Sequence, residues 1–367
     1  MAPLRIRLAH PDVGDEEIEA VSRVLRGTVL TNGPETEAFE SEFAAYHGSE
    51  HGVAFCNGTV ALAALYAALG IGEGDEVIVP SFTFVSSATS IVMAGATPVF
   101  AEVDPETYNL DPTDASRRVS PRTKAVLAVH YGGQPADLDE LSAVASEAGA
   151  VLIEDAAEAH GASYRGRKVG TFGRAAMFSF TPTKNMTTGE GGMVLTGDGD
   201  LAARLRLLRN HGQTELYRHE ILGGNLRITE MQAAMGRAQL AKLDGILARK
   251  AAVCAALDRG LSSLAGVRPP VVRADRTHVH MLYTVAFSSP AARDAVSSAA
   301  AARGVETRLY FPPAHLQPVF SLPVGSLPVT EDLAGRVLSL PAHSRLSGGQ
   351  VAEVVSVVAD AVAGAAA

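Results

Sequence analysis

The chain has 367 residues and a mass of 38.2 kDa, and 47% of its residues are hydrophobic, enough to bury a large core across more than one domain. A net charge of -9, with basic residues in short groups such as Arg165-Gly166-Arg167-Lys168, argues against binding a nucleic-acid backbone. Two distant cysteines, Cys56 and Cys254, make neither a disulfide framework nor a zinc pattern; with no signal-peptide core at the N-terminus and no apolar run of bilayer length, the expectation is a cytoplasmic protein without metal or membrane contact.

Up to about residue 245, strand-like runs alternate with helical segments, which predicts a large α/β domain at 1–245 with a mostly parallel sheet. Val53-Ala54-Phe55 reads as a short strand, followed by the turn Cys56-Asn57-Gly58-Thr59 and an apolar helix from Val60 to Leu69. A helix N-terminus offers free N–H groups and partial positive charge to an anion. Gly58 permits close backbone approach and the Thr59 hydroxyl adds a hydrogen bond, although plain N-capping also accounts for such a turn taken alone.

Further strands are predicted at Glu76 to Val79, Thr97 to Phe100 and Ala125 to Val129. Val151-Leu152-Ile153 ends in Glu154-Asp155, which sets a carboxylate at the C-terminal edge of the sheet, where open α/β folds bind ligands. Arg165 to Lys168 reads as a solvated hairpin turn. The apolar run Ala175 to Phe180 leads through Thr181-Pro182-Thr183-Lys184-Asn185 and the Gly-rich segment 189–192 into a second strand, Met193 to Thr196. Lys184 is thereby carried on a tight, partly buried connection, where most isolated lysines would instead be solvated charges.

Thr229 and Gln232 are spaced as a capping box, and the helical pattern from Met231 to Leu243 passes into a long Ala- and Leu-rich segment. The domain change is expected there, leaving 246–367 as a smaller α+β domain. It contains a strand over Val279 to Phe287, a helix over Ala291 to Arg303, an irregular connection at Pro312-Pro313 and Pro318, and a last helix from Gly348 to about Val362 with a fraying tail. Of eleven histidines, His278 and His280 alternate along the expected strand, but packing or surface roles are favoured over metal ligation.

A lysine and an aspartate, each following a strand at one sheet edge, point to pyridoxal 5'-phosphate. A lysine amine condenses with the cofactor's aldehyde, and an aspartate beside the ring nitrogen keeps that nitrogen protonated so that the ring accepts electrons. Ser179 offers a hydroxyl near Lys184 for the phosphate.

With these segments the chain resembles the DegT/StrS family of pyridoxal-phosphate sugar aminotransferases, in the fold type I aminotransferase superfamily. The likeness runs nearly end to end, through Thr31-Asn32-Gly33-Pro34, Gly72 to Phe84, Gly95 to Phe100, Gly133 to Asp137, Glu154-Asp155-Ala156-Ala157, Arg209-Asn210-His211-Gly212 and the lysine segment. The resemblance implies Lys184 as the Schiff-base lysine, Asp155 as the ring-nitrogen partner, Gly58, Thr59 and Ser179 at the phosphate, and Phe84 stacked on the ring. Glu158 stands where the family commonly has a glutamine bonded to the ring hydroxyl. Thr181 replaces a frequent histidine or aromatic. Asn225 and Arg227, in the loop before the capping box, are implied to reach the phosphate of a neighbouring subunit, which predicts a homodimer with shared sites. Tyr310 and His315 are candidates to approach the substrate.

The activity implied is transfer of an amino group from L-glutamate to the keto group of a nucleotide-linked deoxysugar in secondary metabolism, with an aminocyclitol precursor or other cyclic ketone as the nearest rival acceptor. A pyridoxal-phosphate lyase or dehydratase would use the same cradle, but family members that dehydrate have histidine at the lysine position. A nicotinamide dehydrogenase is disfavoured, because Gly70-Ile71-Gly72-Glu73-Gly74 follows a helix rather than a strand. A non-enzymatic regulator would keep the fold without turnover, and no DNA-binding segment is visible.

Overall fold

In the computed structural model, which describes residues 3–366, the apolar runs of the first part of the chain pair into one seven-stranded sheet. Its strands are β1 (His51–Phe55), β2 (Glu76–Pro80), β3 (Thr97–Ala101), β4 (Thr123–Val129), β5 (Val151–Asp155), β6 (Ala175–Ser179) and β7 (Gly192–Thr196). They lie in the order β1-β7-β6-β5-β4-β2-β3, and β7 alone runs against its neighbours. This is the expected mostly parallel α/β sheet.

Alternate residues of a strand face opposite ways, so an apolar run without polar interruption supplies two cores at once. Ile78, Val126, Leu152, Phe178 and Leu195 join one apolar cluster, and Val77, Leu127, Ile153, Met177 and Val194 the other. Each such side chain contributes about 1.5–3 kcal/mol when fully buried. The same alternation separates the two carboxylates that end β5. Glu154 turns into the protein, where it accepts N–H groups from Gly170 at 2.8 Å, Phe172 at 2.8 Å and Gly173 at 2.9 Å and pairs with His130 Nε2 at 3.2 Å. Burial works to raise its pKa, yet His130 and these backbone donors outweigh burial and hold it below the usual carboxylate range. Glu154 thus fastens the loop that returns the chain to β6. Asp155 is left for the opposite face.

The capping box forms as expected: Thr229 Oγ1 accepts Gln232 N–H at 3.3 Å, and Gln232 Oε1 accepts Thr229 N–H at 2.9 Å. It starts a helix of 32 residues, Glu230–Leu261. The helix passes residue 245 without a break, so the expected change of domain falls inside it. Ala233 and Leu243 pack with the large sheet, whereas Cys254, Leu257 and Leu261 pack in a third core. That core lies on a three-stranded antiparallel sheet of β8 (Val267–Arg268), β9 (Tyr283–Phe287) and β10 (Val337–Leu340).

Three expectations are corrected here. Ile6 packs in the third core and bridges Val305, so the first residues do not go with the large sheet as the span 1–245 supposed. The strand over 279–287 begins only at Tyr283: Val279 and Leu282 N–H bond to the carbonyls of Gly133 and Gly132 at 3.0 and 3.1 Å, and His280 adopts φ 46°. The final helix continues past Val362 to Ala366, because the Ala-rich tail carries strong helix formers, and Ala367 lies outside the described residues. The hairpin does form, with Ser163–Tyr164 paired to Arg167–Lys168 across Arg165 (φ 48°) and Gly166 (φ 79°).

Candidate active site

A cavity of about 660 Å³ opens where β1, β5 and β6 end. The helix Gly58–Ala68 points its N-terminus at it. Asn57 caps that helix by accepting Val60 N–H at 3.1 Å, and helix geometry leaves the first-turn N–H groups of Gly58 and Thr59, which both line the cavity, without intrahelical partners. A Cβ at position 58 would lie 2.9 Å from Met177 Sδ and 3.1 Å from Ser179 Cβ, so a side chain here would have to push both aside for this turn to sit against β6. Ser179 lines the same wall. Two hydroxyls and a helix N-terminus therefore converge on one end of the cavity, a donor set suited to a phosphate.

Asp155 enters from the end of β5. Its Oδ2 accepts from Ser87 Oγ at 2.8 Å, Ser87 in turn meets Thr83 Oγ1 at 2.8 Å, and Oδ1 accepts Ala157 N–H at 3.2 Å. Burial pushes its pKa up, and the Ser87 hydroxyl, the Ala157 N–H and the Lys184 charge offset that only in part. A carboxylate in this condition favours a cationic partner.

Lys184 comes from the connection between β6 and β7. Its own N–H bonds to Thr181 O at 3.0 Å, and Thr188 N–H bonds to Phe180 O at 3.0 Å, which folds residues 180–191 into a compact turn. The side chain is 10% exposed, and Nζ donates to Glu158 Oε1 at 3.1 Å. Glu158 Oε2 accepts Gly132 N–H at 2.7 Å, so the carboxylate that aims the lysine is itself fixed. An amine on a glycine-bounded turn, oriented by a held carboxylate, has the reach and access of a nucleophile.

Of the remaining residues singled out in the sequence, Phe84, Thr181 and Tyr310 line the cavity. Phe84 is 55% exposed and meets Phe311 edge-on at 5.8 Å between ring centres, leaving a face open. His315 is corrected: it is wholly buried, with Nδ1 2.6 Å from Ser81 Oγ and Nε2 3.1 Å from Glu331 Oε1, and is not among the residues lining the cavity. Asn225 and Arg227 also lie off the cavity, Arg227 donating to Asn210 Oδ1 at 2.5 Å and Asn225 bridging Asn210. His278 and His280 stack with ring centres 4.2 Å apart, and among the described residues no cluster of three or more His, Cys, Asp or Glu side chains is arranged for a metal. No helix among them is long and apolar enough to cross a membrane.

Sequence reasoning missed Thr83, Ser87, Met281, Arg308 and Phe311, all of which line the cavity. Ser87 was within reach as a small polar residue just after the Phe84 motif. Arg308 offered no signal beyond a charge near Tyr310; in the structure it pairs with Glu306 at 2.9 Å at the cavity wall.

The mostly parallel sheet and its solved structural neighbours give the chain the architecture of the fold type I pyridoxal-phosphate-dependent transferases. The residues fit that cofactor: the glycine cradle accepts a phosphate, Asp155 offers a buried carboxylate to a ring nitrogen, and Lys184 offers an amine. The chain belongs to the DegT/DnrJ/EryC1/StrS aminotransferase family, whose profile matches residues 11–359. It is 43% identical to the dTDP-3-amino-3,4,6-trideoxy-alpha-D-glucose transaminase of Streptomyces venezuelae, over 97% of this chain and 94% of that one. It is 41% identical to the GDP-perosamine synthase of Caulobacter vibrioides, over 96% of this chain and 97% of that one. Among solved structures, that of S. venezuelae DesV in complex with a ketimine intermediate superposes with a TM-score of 0.91 at 44% identity, covering 94% of each chain.

Proposed function

We propose that this aminotransferase binds pyridoxal 5'-phosphate at Lys184 and moves an amino group from L-glutamate to the keto group of a nucleotide-linked deoxysugar. The observation that carries the reading is the Lys184 amine, held 3.1 Å from Glu158 in the cavity that Asp155 also lines. When bound, the cofactor supplies an electron-poor ring that takes up the electrons left when a proton leaves the carbon beside the nitrogen. Asp155 holds the proton on the ring nitrogen. The N–H groups of Gly58 and Thr59 and the hydroxyls of Thr59 and Ser179 bind the phosphate, and Phe84 covers a face of the ring. Lys184 Nζ takes and returns the proton at the reacting carbon, and Glu158 keeps that nitrogen aimed.

The acceptor class is supported by the two named relatives, a dTDP-sugar transaminase and GDP-perosamine synthase. The test is a panel of nucleotide-linked 3-keto and 4-keto deoxysugars and free cyclic ketones, each incubated with glutamate. A nucleotide-linked ketosugar should be aminated with release of 2-oxoglutarate. Amination confined to free cyclic ketones would contradict the reading.

The working form proposed is a homodimer with shared sites. Arg227 and Asn225 lie on a loop off the chain's own cavity, beside a hairpin that exposes Leu216 and Tyr217 at its tip and is followed by exposed Leu222, apolar residues suited to a partner surface. Arg227→Ala should weaken cofactor retention, and mixing it with Lys184→Ala should regenerate part of the activity, because one of the two hybrid sites is intact. A mixture as inactive as its components would count against sharing.

A further inference from the structure

Beside the turn that carries Lys184 lies a second lysine. Lys250, on the long helix Glu230–Leu261, is only 6% exposed. Its ammonium donates to Asn185 Oδ1 at 2.7 Å and weakly to Met281 O at 3.4 Å, and neither acceptor is a carboxylate. Burial lowers its pKa to about 8, with Cys254 and Glu158 acting weakly in the other direction. An interior ammonium met by neutral oxygens costs stability, and such costs are retained where a site needs the charge.

The surroundings indicate which site. Asn185 follows Lys184 in the chain, and its Nδ2 donates to Val279 O at 3.0 Å, so the turn is clamped between the long helix and the 279–282 stretch. Met281, the second acceptor, lines the main cavity. Lys184 and Lys250 also share a small cavity of about 30 Å³ with Asp12, His10 and His343.

We propose that Lys250 is a positioning residue for amino transfer: through Asn185 it fixes the turn bearing Lys184. This rests on the assignment of Lys184 to the cofactor made above. The buried histidines near Lys250 do not compete with it as cations. Burial holds His160 and His278 well below the ordinary histidine value, and holds His280 and His343 to about 4. Asp12, held at about 2 against its burial by Arg249, Ser344 and Arg345, keeps its charge throughout, and Cys254 is held up at about 12 by burial. Glu158 remains in place in every variant below.

The test uses the full-length enzyme loaded with pyridoxal 5'-phosphate, reading kcat, KM for glutamate and the wavelength of its visible band. Lys250→Met removes the donor to Asn185 at similar volume; Lys250→Gln and Lys250→Arg keep one. Lys250→Met should lower kcat by about tenfold with KM little changed and should move the visible band, and both donor-keeping variants should recover most of the loss. All three are expected to fold, and thermal unfolding at pH 7 checks this. A folded Lys250→Met with kcat within about twofold of the unmodified enzyme, or with an unmoved band, would overturn the proposal, as would donor-keeping variants as impaired as Lys250→Met. Absence of a borohydride-trapped pyridoxyl group on Lys184 of the unmodified enzyme would instead remove the assignment of Lys184 itself.

Discussion

Replacing Lys184 with alanine is expected to abolish amino transfer, lowering the rate by about 10⁴-fold or more, while the protein still folds. No other amine occupies its place in the main cavity. Lys250 is turned to Asn185 and Met281 and lines the adjoining small cavity rather than the main one. The cost to folding is modest because Glu158, which loses its ion-pair partner, keeps the Gly132 N–H at 2.7 Å and borders an open cavity that admits water. A loss of roughly 1–3 kcal/mol is the expected scale for one hydrogen-bond partner removed from a buried carboxylate. Steady-state rates with glutamate and an aminated acceptor, set beside a denaturant unfolding curve, check both parts. A mutant that turns over at near-normal rate would contradict the assigned role.

Asp155→Asn separates charge from shape. Asparagine keeps the size of the side chain and an oxygen for Ser87, while its amide nitrogen replaces the Oδ1 that accepts the Ala157 N–H at 3.2 Å, so the variant removes one long hydrogen bond and the negative charge. Without it the ring nitrogen has no anion to hold its proton, and kcat should fall by about 10²–10³-fold, the scale for loss of one preorganised electrostatic group. The cofactor-free protein should respond in the opposite sense. The folded pKa of Asp155 lies above its ordinary value of 3.8, chiefly through burial. A raised carboxyl pKa favours folding fully below the unfolded value and loses that contribution as pH climbs through the folded one, so at neutral pH the ionised carboxylate is a net cost. Cofactor-free Asp155→Asn should therefore be at least as stable as the unmodified protein at pH 7, while near pH 3 the difference should shrink. A variant that is both active and less stable at pH 7 would count against the assignment.

The opposed behaviour of Glu154 and Asp155 shows what the sequence could and could not disclose. That β5 ends in carboxylates at a sheet edge was readable from the apolar run before them. The period-2 alternation then sends one into the interior and one to the cavity, and which of them reaches which was implied by family likeness rather than by pattern. Lys184 was legible because a glycine-rich turn between two short strands has few ways to place a long side chain. Ser87 against Asp155, Asn185 against Lys250 and Glu158 against Lys184 were not legible, since each joins segments whose approach depends on the assembled sheet. His315 misled for the same reason: a polar residue in a proline-rich connection reads as exposed, but Ser81 and Glu331 enclose it. The change expected near residue 245 falls within one continuous helix, whose Leu243 packs in one core and whose Cys254 packs in another.

Borohydride reduction of the cofactor-loaded protein, followed by proteolysis and mass mapping, tests the central claim most directly. The pyridoxyl mass should appear on the peptide carrying Lys184 and vanish from it in Lys184→Ala. A tag on Lys250 or another side chain, or no tag at all, would contradict the account.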